Sequence, residues 1–238
     1  MNDALQLAHE YARDMIAKSG VREWDNPEQI QKIADAAIAL ALAITGTTIE
    51  IPEGSYNMAL PDVFRRQSGT AKTIKNSGGD AAITLASLAN SSSESTGARQ
   101  AVKLDLGATR GRSYQVKADF ELAATPTAGN VIELWWSPSA SATAGTDNRG
   151  GASGADASYT GYSSNISASL KQCQLIGAFV CTAQATATVQ KAVVAGAFVP
   201  QERYGSLIVF NKSGAAFHST DTNQVITLTP SEDVIEDT

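Results

Sequence analysis

From Ser113 to Leu122 the chain alternates one for one. Tyr114, Val116, Ala118, Phe120 and Leu122 hold one parity, and Gln115, Lys117, Asp119 and Glu121 hold the other. Successive side chains of a strand point to opposite faces, so this stretch has one buried face and one wet face. Strands of parallel sheets are buried on both sides and read as unbroken apolar runs, so the alternation predicts an antiparallel sheet. Further strands are expected over 70–75, 81–88, 101–106, 131–137, 171–182, 185–194, 204–211 and 224–229. They are divided by turn signals such as Asn76-Ser77-Gly78-Gly79. Many short strands between Gly, Pro and Ser turns predict a mainly β fold, an antiparallel β-sandwich of jelly-roll-like type. Its expected core is Tyr114, Val116, Phe120, Leu134, Leu175, Phe179, Leu207 and Val209.

The first 46 residues follow a different period. Leu5, Ala8, Ala12, Met15 and Ile16 fall at helical spacing, with Gly20 beyond them. A second helix opens at Asn26-Pro27-Glu28-Gln29, where Asn26 caps, Pro27 suits the first helical position and Gln29 reaches back. Its stripe is Ile30, Ile33, Ala37, Ile38, Ala41 and Ile44, and its second half is apolar all round. A helix of that kind must be enclosed on every side. Ile33, Ala37, Ile38, Ala41 and Ile44 are therefore the candidate assembly contact of an N-terminal two-helix hairpin. The expected boundaries are a helical anchoring and oligomerisation segment over 1–46, a joint over 47–69, the β-sandwich over 70–230 and an acidic tail over 231–238.

Charge and cysteine usage exclude several classes. A net charge of −6 without a basic face speaks against nucleic acid as a partner. Ala36–Ile44, the longest apolar run, is too short to span a bilayer, and the N-terminus has no secretory apolar core, so no membrane is expected and synthesis falls in the cytoplasm. Cys173 and Cys181 lie on the same strand parity, roughly 27 Å apart at strand rise. That predicts two buried thiols with no bond between them, and an inter-subunit disulfide as the sharper alternative.

Catalytic constellations are missing. His9 falls on the amphipathic first helix. His218 sits in Phe217-His218-Ser219-Thr220-Asp221, with no nucleophile elbow anywhere. Asp119 and Glu121 share one wet strand face beside Lys117, unlike a glycosidase pair across a cleft. No zinc spacing, P-loop or dinucleotide fingerprint occurs. Asp147, Asn148 and Asp156 offer oxygen ligands in a Gly-rich loop but lack EF-hand spacing. The expectation is no enzyme, no cofactor and no metal. The remaining candidates for a surface or ligand contact are the aromatics Trp135, Trp136, Tyr159 and Tyr162. Trp135 and Trp136 must face opposite sides of a strand, one in the core and one outside. After them runs a long Ser/Ala/Thr/Gly segment, read as an exposed display loop.

Six segments carry a family resemblance: AAITLASLANSSSESTGARQAVKLDLGATRGRSYQV from Ala81, ELAATPTAGNVIELWWSPSASATAG from Glu121, GGASGADASYTGYSS from Gly150, KQCQLIGAFVCTAQATATVQK from Lys171, FVPQERYGSLIVFNKSGAAFHS from Phe198 and VITLTPSEDVIED from Val225. In order and spacing they resemble a group of tailed-bacteriophage virion structural proteins. The resemblance implies a virion role without a chemistry, made in the bacterial host cytoplasm. It implies an outer capsid decoration or head-fibre component, or else a collar, neck or tail component. A receptor- or carbohydrate-binding module is the alternative from another class. The expected partners are other virion proteins of the capsid, neck or tail, and further copies of the chain, with a trimer favoured. Residues 1–46 lie outside the resemblance and are the expected anchor.

Overall fold

A computed structural model describes residues 63–236, with side chains from 67 to 231. The two expected N-terminal helices, and with them Ile33, Ala37, Ile38, Ala41 and Ile44, lie outside the described residues. The chain from 63 onward is mainly β. Its strands are β1 (Val63–Ser68), β2 (Lys72–Ile74), β3 (Ala98–Gln100), β4 (Leu104–Asp105), β5 (Ser113–Glu121), β6 (Val131–Ser139), β7 (Ala157–Ser158), β8 (Gln174–Val180), β9 (Val189–Phe198), β10 (Tyr204–Lys212) and β11 (Val225–Glu236), with one short helix, α1 (Ile166–Leu170), between β7 and β8.

Two antiparallel sheets result. The first runs β1-β11-β5-β9, with β2 following β1 along the same edge of β11. The second runs β7-β3-β10-β6-β8, with β4 following β3 along β10. Pro230 sits inside the central strand β11, where proline ordinarily breaks a ladder. Its carbonyl accepts the Gly69 N–H at 3.0 Å. The N–H it lacks would point the same way, into the break between β1 and β2, so no strand pairing is lost.

The alternation read from 113–122 is borne out. Tyr114, Val116, Ala118 and Phe120 of β5 are all buried, and with Ile226 and Leu228 of β11 they line the inner side of the first sheet. Ile132, Leu134 and Trp136 of β6, Phe179 of β8, and Leu207 and Val209 of β10 meet them in the same core from the second sheet. Rings interlock between the sheets: Phe120 against Phe179 at 5.0 Å and Trp136 against Phe198 at 5.8 Å between centroids, spacings that suit tilted aromatic pairs. Gly205 makes room for this packing. A Cβ there would drive into the Trp136 indole.

Several expectations need correction. Leu175 is not a core residue; it is half exposed. The pairing of β6 with β8 slips between Leu134 and Trp135, a β-bulge that passes over Ile176. One extra residue in a strand shifts the parity of everything beyond it. Ile176 and Phe179 therefore both point inward, and Leu175 turns out. The same slip separates the cysteines. Cys181 is in the inner core, while Cys173, just before the bulge, packs on the outer side of the second sheet. Residues 81–88 form no ladder, although Ala81, Ile83 and Leu85 alternate inward as a strand would. The stretch read as an acidic tail continues β11 through Glu236, and β1, inside the supposed joint, pairs with it from Val63↔Glu236 to Ser68↔Ser231.

Candidate functional site

β10 is buried on both faces from Gly205 to Asn211. Its inner face belongs to the core already described. Its outer face, Ile208 and Phe210 with Ala98 of β3, is covered by the chain between β6 and β8. Ala152, Tyr159, Ile166 and Leu170 pack onto it as a second apolar cluster, with Trp135 and Cys173 against its border. The segment read as a display loop is therefore a folded cap. Its few large side chains are spent on one small core, and its many Ser, Thr and Gly residues serve hydrogen bonding.

Polar ties hold the cap. The Lys103 ammonium donates to Ser139 Oγ at 2.9 Å and to the carbonyls of Ser141, Thr143 and Thr146 at 3.0, 2.7 and 2.9 Å. Burial pulls its pKa below the ordinary lysine value, and the Asp147 carboxylate opposes that shift. Ser137 Oγ donates to the Arg149 carbonyl at 2.7 Å and accepts the Arg149 N–H at 3.0 Å. Asp156 accepts Thr84 N–H at 3.0 Å and Arg99 Nε at 2.7 Å. Burial alone would raise the Asp156 carboxyl, but the Thr84 and Arg99 hydrogen bonds outweigh it and hold the pKa below the usual carboxylate range. α1 is capped by the Asn165 side chain, which accepts Ala168 N–H at 2.9 Å. Gly150, at φ 65°, stands where a side chain would strike Cys173 Sγ and the Tyr159 hydroxyl.

The four aromatic candidates divide. Trp136 is fully buried in the main core, so it offers nothing to a ligand. Tyr159 is buried beneath the cap and donates its hydroxyl to the Gly150 carbonyl at 2.5 Å. Both corrections have one cause: the loop expected to stay open folds back on its own sheet. Trp135 lies on the outer face, half-buried, with Nε1 donating to Glu133 at 3.0 Å. Tyr162 is 53% exposed at the cap's tip, where Ser163 and Ser164 both take positive φ, 52° and 57°. No sequence signal pointed to Lys103, because three of its four acceptors are backbone carbonyls.

The cap leaves part of the outer face uncovered. Val131, Glu133 and Trp135 of β6 stand in register with Val180, Ala178 and Leu175 of β8. Leu175 and Val180 are 51% and 57% exposed. The charges in this strip pair within it: Lys212 Nζ lies 2.8 Å from Glu133.

The residues weighed for chemistry have other duties. Asp147 accepts the Ala140 N–H at 2.9 Å and pairs with Arg149 at 3.1 Å, and Asn148 donates to the Ala152 carbonyl at 2.8 Å. Together with the Asp156 contacts, this commits all three oxygen candidates to the cap. Among the described residues no three His, Cys, Asp or Glu side chains gather as metal ligands. His218 Nδ1 accepts the Thr220 N–H at 3.1 Å and lies 3.6 Å from Glu121 Oε1. Glu121 is buried rather than solvated, with Asn223 donating to it at 2.8 Å, while Asp119 remains on the wet face with Lys191 at 2.9 Å. A concavity of about 270 Å³ is bounded by Gly69, Lys72, Leu106, Gly111, Tyr114 and Pro230. Its charged side chain, Lys72, is paired with Asp80 at 3.1 Å.

No family model and no curated protein matches the chain. Among solved structures, dimeric latent PorU from Porphyromonas gingivalis aligns with 76% of this chain and 14% of its own length, at 14% identity and a TM-score of 0.25. The chain thus spans a small part of that protein, and likeness at this level carries no argument.

Proposed function

We propose that the chain is a structural protein of a tailed-bacteriophage virion, an outer capsid decoration or head-fibre component, without enzymatic activity and assembled from several copies. The observation that carries the reading is the strand order. When β1 with β2, and β3 with β4, are each counted as one strand and the two-residue β7 beside β3 is set aside, eight strands run 1-8-3-6 in one sheet and 2-7-4-5 in the other. That is the double-sheet order of a jelly-roll sandwich, an architecture that recurs in viral capsid and lectin domains. The step from this fold to a virion is an analogy of architecture, and the six resembling segments add to it from the sequence side. Residues 1–46, whose sequence has helical periodicity, serve as the anchor, and a three-fold assembly is favoured.

The test is direct. Particles purified from infected cells contain the chain, and low-dose imaging places it on the outside of the head. Density at the collar or tail instead selects the alternative position, and particles that lack the chain refute the reading. Removal of residues 1–46 abolishes incorporation; normal incorporation of the truncated chain refutes the anchor.

A second reading, a carbohydrate-binding module, draws on one observation. Tyr162 is an exposed aromatic on a tip whose backbone holds two serines in the left-handed region. Strain of this kind concentrates at ligand contacts. Binding on a glycan array that disappears with Tyr162→Ala favours this reading, and a blank array removes it.

A further inference from the structure

We infer that the oxygens gathered around Lys103 form a site for a large monovalent cation, potassium or the ammonium ion, in which the lysine's own ammonium stands as the resident. Nothing in this depends on the virion reading.

Four oxygens converge on one atom. Ser139 Oγ and the carbonyls of Ser141, Thr143 and Thr146 lie 2.9, 3.0, 2.7 and 2.9 Å from Lys103 Nζ. An alkylammonium has three hydrogens, so the acceptors outnumber the directional bonds it can give. Such a surplus suits a spherical charge, which carbonyls hold by replacing its hydration shell.

The cage is shaped by its own loop. A carbonyl is free to turn inward when the N–H groups around it are engaged elsewhere. Here the Ala140 N–H goes to Asp147 Oδ2 at 2.9 Å and the Ser141 N–H to Ser139 Oγ at 3.2 Å. The Thr143 N–H goes to Ser141 Oγ at 3.1 Å and the Thr146 N–H to the Thr143 carbonyl at 3.1 Å. All four bonds stay within residues 139–147. Lys103 arrives from outside the loop, from the link between β3 and β4. With that side chain shortened, the loop still aims its oxygens at a common centre. Carbonyls that face one another without a donor are costly to leave unpaired, and a positive charge between them removes the cost.

Size and charge choose the ion. Calcium takes oxygens at about 2.3–2.6 Å and magnesium at about 2.0–2.1 Å. The cage, at 2.7–3.0 Å, is too wide for either. Three carbonyls and a hydroxyl carry no net charge, and the carboxylate that acts on Lys103, Asp147, is already paired with Arg149 at 3.1 Å. One positive charge is therefore matched and two are not. In the wild-type chain the tethered ammonium outcompetes free ions, and the cap is indifferent to which salt surrounds it.

The experiment uses the full chain with Lys103→Ala, which opens the cage, and with Lys103→Met, which fills it with a side chain of the same length. Hydrogen exchange at the Arg149 amide, held by Ser137 Oγ at 3.0 Å, is followed in potassium, ammonium, lithium, calcium and tetramethylammonium chlorides at one ionic strength. Protection in β5 and β11 is the internal reference. Potassium and ammonium raise protection of Lys103→Ala about fivefold over tetramethylammonium, as an ion at about four times its Kd does. Lithium and calcium do not. The wild-type chain and Lys103→Met respond to none of the salts. Equal protection of Lys103→Ala in potassium and tetramethylammonium overturns the inference, as does a cap that stays open in every salt. An equal rise in Lys103→Met also overturns it, because that variant has no room for an ion.

Discussion

Replacing Lys103 by methionine keeps the length of the side chain and removes the ammonium. Four acceptors then lose their common donor. They do not count equally. The contacts to Ser139 Oγ and the Ser141 carbonyl are partly buried, and hydrogen bonds to a charged donor there contribute about 1.5 kcal/mol each, at the low end of their range. The contacts to the Thr143 and Thr146 carbonyls are exposed, and water replaces them at a cost of a few tenths of a kcal/mol. The ammonium also gives up hydration to sit in the cage, which offsets part of the total. The expected loss is about 2 kcal/mol, and it is local. Only the 140–149 turn depends on this lysine, while the two-sheet core does not touch it. A loss of that size raises the opening of the turn about thirtyfold. Hydrogen exchange on the full chain reads it directly: protection at the Arg149 amide falls by that factor, and protection in β5 and β11 stays unchanged. Lys103→Arg separates charge from shape. A planar guanidinium cannot point at four converging oxygens, so this variant also loses protection. Unchanged exchange in Lys103→Met, or full rescue by arginine, refutes the cage as the element that folds the cap.

Three further outcomes are expected. Gly205→Ala forces a methyl into the Trp136 indole and costs about 2–3 kcal/mol by chemical denaturation; the penalty falls below about 1 kcal/mol in a Trp136→Phe background, and additivity of the two changes refutes the contact. The Asp156 carboxyl titrates below its unfolded value, so its contribution is present above about pH 4 and lost as the pH falls through the lower folded value; Asp156→Asn flattens that acid limb, and an unaltered limb refutes the assignment. Burial pushes both Cys173 and Cys181 up to about 11, so at pH 8 a thiol reagent labels the half-buried Cys173 slowly and the buried Cys181 not at all in the folded chain, and both after unfolding; rapid labelling of Cys181 in native protein refutes its burial.

The alternation at 113–122 disclosed the sheet and its inner face because each residue there carries the polarity of its own surroundings. Trp135 and Trp136 followed the same rule, one outside and one in the core. The rule fails where a strand holds an extra residue. Gly177, beside the bulge, is the one mark of it in Gln174–Val180; plain alternation passes over it, so Leu175 and the relation of Cys173 to Cys181 came out on the wrong faces. It fails again in the cap. A stretch poor in large side chains looks like open loop, yet four apolar residues spread over Ala152–Leu170 are enough when they meet the outer face of β10. That face was itself readable, since Leu207-Ile208-Val209-Phe210 has no polar parity and must be covered on both sides. What covers it was not, because the ties are backbone carbonyls and distant pairs such as Arg99 with Asp156, which leave no local spacing.

The cap begins at the end of β6 and returns at the start of β8, two strands that are neighbours in one sheet, with Trp136 already in register with Gln174. Its point of departure and its point of return are thus side by side. Length and composition between them are free to change without moving β6 or β8, provided that something apolar still shelters Ile208 and Phe210. The segment is a graft site within the protein's own architecture: a length of chain that another can replace, altering the surface turned to the surroundings while the scaffold beneath stays as it is.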